Sequence, residues 1–151
     1  MSKRVCSFLL ALAMLLSLLP LSVFAADGAA GTVGTVRVVV ENNTCKETDT
    51  GSWVSGATAW SGILVDKTVE LTSSSTAVSC LQAALAEGNY SLTVTESSYI
   101  TEINGLKADP TSYAAGWQFA LNDWYTNQSM GYYTVADKTL RSGDTICMRY
   151  T

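Results

Sequence analysis

The sequence predicts an α+β domain in which one amphipathic helix packs on a mixed β-sheet. Two observations carry that prediction. β-branched and aromatic residues alternate with polar ones in several short runs, the period of half-buried strands. Helical spacing, by contrast, appears convincingly once beyond the amino-terminal leader, at Val78, Leu81 and Leu85. Strands and helix are segregated rather than alternating, which places the chain in the α+β class.

The chain opens with a targeting segment. Lys3 and Arg4 precede an unbroken run of apolar and small residues from Val5 to Leu19, and Val23-Phe24-Ala25 supplies a cleavage site. Residues 1–25 are therefore expected to be a signal peptide, which makes the protein secreted, extracellular or cell-surface. No second apolar segment follows, so no membrane span is expected after cleavage. Residues 26–34 read as a flexible Gly/Ala linker, and residues 35–151 as one domain.

Thr35 to Glu41, TVRVVVE, predicts the first strand. Residues 42–62 are polar and rich in Gly and Ser, and read as a long loop. Ile63 to Leu71 is strand-like, with a kink or turn expected at Asp66-Lys67. Ser73 to Thr76 offers N-caps for a helix over Thr76 to Glu87, and Gly88-Asn89 a stop. Short strands are predicted over Leu92 to Glu96 and Tyr99 to Ile103, with Asn104-Gly105 reversing the chain before Leu106.

The most aromatic stretch follows. Trp117, Phe119 and Leu121 share one face of a strand, Asn122-Asp123 suits a tight turn, and Trp124-Tyr125 begin the return. Two readings stand: the rings are core, or those nearest the turn face a ligand. The second names Trp117, Asn122, Trp124, Tyr125, Asn127 and Tyr133 as candidate binding residues, an apolar platform with a few polar groups. Trp124 and Tyr125 are consecutive, so at most one of them can join the core face. Tyr132 to Val135 predicts another strand, Thr139 to Asp144 a turn with Gly143 at positive φ, and Thr145 to Tyr150 the last strand.

Composition excludes several chemistries. The chain has 151 residues, a net charge of -4 and no histidine. The acidic balance argues against nonspecific nucleic-acid binding, and the lack of histidine removes Ser-His-Asp and Cys-His catalysis and histidine metal sites. The carboxylates that could be paired for hydrolysis, Glu102, Asp109, Asp123, Asp137 and Asp144, mostly fall at expected turns. No catalytic residue, metal or cofactor is expected. Cys45, Cys80 and Cys147 follow the leader; an odd number leaves at least one free thiol, with one disulfide as the alternative.

The runs Ser75 to Ala84 and Tyr99 to Leu106, Gly116-Trp117, Asn122, and Leu140 to Thr151 together resemble the transcobalamin-like C-terminal domain family, also called DUF4430. That resemblance implies a small β-grasp-like module. In animal cobalamin carriers a similar domain closes over one face of the corrinoid while a helical barrel holds the other. In bacteria the family occurs in secreted and surface proteins of Gram-positive anaerobes. The expectation is a non-catalytic ligand-binding or interaction module, with a corrinoid, a surface glycan or a protein as its ligand. The alternative is a structural or adhesion-type extracellular domain with no small ligand. The oligomeric state is left open.

Overall fold

The computed structural model describes residues 31–44, 60–108 and 116–151. The expected signal peptide and linker up to residue 30, Cys45, most of the expected 42–62 loop and Asp109-Pro110 lie outside the described residues. Strands β1 (Gly34–Asn42) and β2 (Gly62–Leu71) form an antiparallel pair. Helix α1 (Ala77–Ala86) follows, then β3 (Leu92–Val94), β4 (Ile100–Ile103) and β5 (Leu106–Lys107). The chain closes with β6 (Trp117–Leu121), β7 (Trp124–Tyr125) and β8 (Thr145–Tyr150). β2, β1, β8, β6 and β7 lie side by side in a five-stranded sheet, while β3, β4 and β5 make a separate three-stranded one. A single sheet had been the expectation; the short middle strands instead pair among themselves.

The five-stranded sheet is mixed. β1 and β8, the first and last strands, run parallel at its centre, and the other neighbours are antiparallel. Val36, Val38 and Val40 of β1 and Ile146, Met148 and Tyr150 of β8 are buried on one face. Helix α1 packs on that face through Ala77, Cys80, Leu81, Ala84 and Leu85. The stripe differs from the spacing prediction in one respect: Cys80 is fully buried, and Val78 is only half-buried at the edge of the core. Small residues at 77, 80 and 84 let the helix approach the valines closely.

The ends of α1 are set by its sequence. The Thr76 hydroxyl accepts the Ser79 N–H at 3.1 Å, and the Ser79 hydroxyl accepts the Thr76 N–H at 2.9 Å, a reciprocal cap. Asn89 takes the left-handed conformation past the C-terminus, at φ 53°, rather than Gly88. The Asn104-Gly105 reversal holds, with both residues at positive φ.

Two expectations are corrected. β2 runs unbroken through Asp66-Lys67, where no turn interrupts it. Arg37 of the facing strand grips the Asp66 carboxylate in two 2.7 Å hydrogen bonds, so this polar pair sits on the open face of the sheet. Tyr132 to Val135 is not a strand. Met130–Tyr132 forms a 3₁₀ turn, and beyond it Thr134 makes an isolated bridge to Thr76.

Candidate functional site

Two turns at one end of the sheet are tied by a single side chain. Asn122 and Asp123 have φ of 51° and 29°, the positive values a two-residue hairpin needs. The Asn122 amide nitrogen donates to the Asp144 carboxylate at 2.8 Å, and its amide oxygen accepts the Thr145 N–H at 2.8 Å. Asp144 also accepts the Arg141 N–H at 2.7 Å. Asn122 therefore fixes the β6–β7 hairpin to the turn at Gly143, and its polar groups are spent on the fold.

β7 pairs with β6 only at Ala120 and Leu121. The Thr126 N–H donates to the Phe119 carbonyl at 3.3 Å, and upstream of that bond the far edge of β6 is open to a groove of about 480 Å³. Gly116 and Thr151 exchange both backbone hydrogen bonds, so even-numbered residues of β6 face β8. The alternation turns the peptide N–H and C=O of Trp117 toward the groove side. Met130, Met148 and Ile100 form an apolar floor, each buried. Tyr99 and Tyr125, 57% and 53% exposed, stand at the rims. Gln118, Asn127 and Gln128 supply amides along the wall. An apolar floor with a few polar groups, at this size, is the usual composition of a small-ligand site.

The six residues singled out from the sequence are distributed unevenly. Trp117, Tyr125 and Asn127 line the groove. Trp117 is half-buried: its indole N–H donates to the Leu106 carbonyl at 2.9 Å, and its ring stacks on Trp60 and meets Tyr150 edge-on at 5.1 Å. It contributes one edge and its backbone. Tyr133 is half-buried against Phe119, ring centres 5.2 Å apart, and does not line the groove. Asn122 sits at the hairpin turn.

Trp124 lies at the hairpin tip and is 80% exposed. At most one of Trp124 and Tyr125 could join the core face, and neither does: both are exposed. Phe119 and Leu121 do pack on the core, half-buried rather than fully so, because they lie beyond its centre.

Tyr125 is the most constrained of the exposed rings. Arg149 hydrogen-bonds its hydroxyl and lies over its ring, 5.7 Å from the centroid. Arg149 is held in turn by Glu41 at 2.5 Å, and these two partners raise its already high pKa. Sequence reasoning missed Met130, Met148, Ile100, Gln118 and Tyr99. The floor methionines carried no distinguishing signal: Met148 on a strand's inner face reads as core, and Met130, in a 3₁₀ turn, shows no pattern in the sequence.

Among the described residues the fold is a small α+β arrangement with one α-helix on a mixed sheet and a cleft at the sheet's edge. The chain belongs to the family described as "Domain of unknown function (DUF4430)", whose sequence profile matches residues 74–151. Among solved structures it is similar to a crystal structure of haptocorrin in complex with Cbi, with a TM-score of 0.51 and 15% sequence identity. The likeness covers 87% of this chain and 28% of that one, so the chain corresponds to a minor part of haptocorrin's length. No curated protein matches the chain. No helix among the described residues is long and apolar enough to cross a membrane.

Proposed function

We propose that the protein is an extracellular, non-catalytic ligand-binding module that takes a flat, amide-bearing ligand of the corrinoid class at the β6–β7 hairpin. The observation that supports this most is the groove itself: a buried apolar floor between two exposed tyrosines, with Gln118, Asn127 and Gln128 along the wall. Amide side chains and an open strand edge suit a ligand that carries its own amide donors and acceptors. An acidic chain with no histidine suits a neutral or cationic ligand held without protein ligation of a metal. The haptocorrin likeness agrees with this reading at the level of fold. We further read that fold as β-grasp, because a β1–β2 hairpin, one helix and a last strand parallel to the first in the sheet centre compose it. Within this reading the six residues keep separate roles. Tyr125, Asn127 and Trp117 touch ligand, Trp124 covers its outer rim, and Asn122 and Tyr133 hold the hairpin.

The groove is open along one side, so the module contacts one face of such a ligand and leaves the other to a partner. Tryptophan fluorescence tests the reading. Titration with cobalamin should quench emission saturably, and Tyr125→Ala should weaken binding about tenfold while leaving the unfolding midpoint unchanged. Trp124→Ala should remove part of the quench. Unsaturable quenching, equal in wild type and both variants, would show that the groove takes no corrinoid. Saturable binding of a cell-wall glycan in its place would reassign the ligand.

A further inference from the structure

A second recess, built from different residues, lies where β1 begins and β2 ends. Val33, Leu71, Val135 and Leu140 wall a space of about 350 Å³, and Lys138 and Arg141 line it as well. Leu71 and Leu140 are each 1% exposed, so the floor is continuous with the core.

Of the other described cations, all but Lys107 are ion-paired among the described residues. Arg37, Lys67 and Arg149 are in ion pairs with Asp66, Glu87 and Glu41. Lys138 and Arg141 have no ion pair among the described residues, and they stand at one apolar recess in a chain of net charge -4. The nearby carboxylates are engaged elsewhere. Asp144 is bound by Asn122 and by the Arg141 main-chain N–H, and Asp137 accepts the Thr134 hydroxyl at 2.9 Å. The Arg141 Nε donates to the Lys138 carbonyl at 3.0 Å, which keeps the guanidinium beside the Lys138 backbone.

Lys138 itself has φ of 60°. Glycine or asparagine occupies that region at lower cost than lysine. A lysine there trades backbone ease for a charged side chain at the recess.

We propose that this recess binds an amphiphilic anion, a medium-length aliphatic carboxylate. The chain lies against Leu71, Val135 and Leu140, and the carboxylate meets Lys138 and Arg141. Hydrogen bonds between ionised partners are about twice as strong as neutral ones, so the head group sets the preference.

Octanoate is the probe, read by methyl NMR of the whole protein, with 1-octanol as the neutral control. Octanoate should shift the methyl signals of Val33, Leu71, Val135 and Leu140 saturably and leave Met130 and Met148 unmoved. It should bind about tenfold more tightly than octanol. Lys138→Asn suits the left-handed backbone and folds; it should erase most of that preference, as should Arg141→Gln. The proposal is overturned if octanoate leaves these methyls unshifted up to its solubility. It is equally overturned if octanol binds as well as octanoate, or if Lys138→Asn leaves the preference intact.

Discussion

Asn122 shows how much of this molecule rests on single side chains. Its amide joins two turns that are 22 residues apart in the chain, and no other residue type supplies both a donor and an acceptor at a position with φ of 51° so easily. Asn122→Ala should cost about 2–5 kcal/mol, the sum of two modest hydrogen bonds and a strained backbone, read as a lower denaturation midpoint. Asn122→Gly should recover the backbone part alone. The thiols also act at this scale. Cys80 is buried in the helix–sheet core, and burial raises its pKa. Cys147 is half-buried on the open face of the sheet; burial, then the nearby Glu41 carboxylate, raises its pKa too. Both are free, as an odd count required of at least one. A raised thiol pKa means that the folded state holds the proton longer, so any stability from these groups is present below pH 9 and lost as pH rises beyond it. The thiolate is the reactive form, so alkylation near neutral pH should be slow at Cys147 and absent at Cys80 until the protein unfolds. Rapid labelling of Cys80 in the folded protein would show that the helix does not pack as described.

Helix α1 is the element most legible in the sequence. Its cap, its stop and Leu81 and Leu85 all follow from residue type and spacing, because these signals are local. Leu81 is fully buried, and Leu81→Ala should cost about 2–5 kcal/mol. An unchanged midpoint would contradict the packing of the helix. Elements that depend on distant partners were less legible. Asp66-Lys67 resembles a turn until Arg37 is known to face Asp66 across the sheet. Tyr132 to Val135 has strand-like residues but gains only a bridge at Thr134, because Tyr133 packs on Phe119 and the chain turns through hydrogen bonds to Thr139. The division into two sheets could not be read either. Which short strands pair with each other is set by tertiary contacts, and their residues suit either sheet.

For the molecule as a whole, the arrangement leaves one sheet edge incompletely paired. β7 covers two residues of β6, the Thr126 N–H reaches the Phe119 carbonyl, and the edge at Trp117, with Tyr125 braced by Arg149 nearby, opens on Met130 and Met148. The aromatic hairpin was visible in the sequence as a candidate site. The groove was not, because Ser98, Tyr99 and Ile100 reach it from the β3–β4 connection and the start of β4, and only the fold brings them there. The bracing has an energetic consequence: a rim ring already held by Glu41 and Arg149 loses little freedom on binding.

The methionines provide the most direct test. Four occur in the chain; Met1 and Met14 fall in residues 1–25, the segment expected to be a signal peptide, and the other two, Met130 and Met148, both line the groove. Protein labelled at the methionine methyl carbons therefore reports on the groove through two signals. Titration with cobalamin should move both signals along one saturable curve, and Tyr125→Ala should shift that curve to higher concentration. Two unmoved signals at saturating cobalamin, with the protein folded, would contradict the claim that this groove is a corrinoid site.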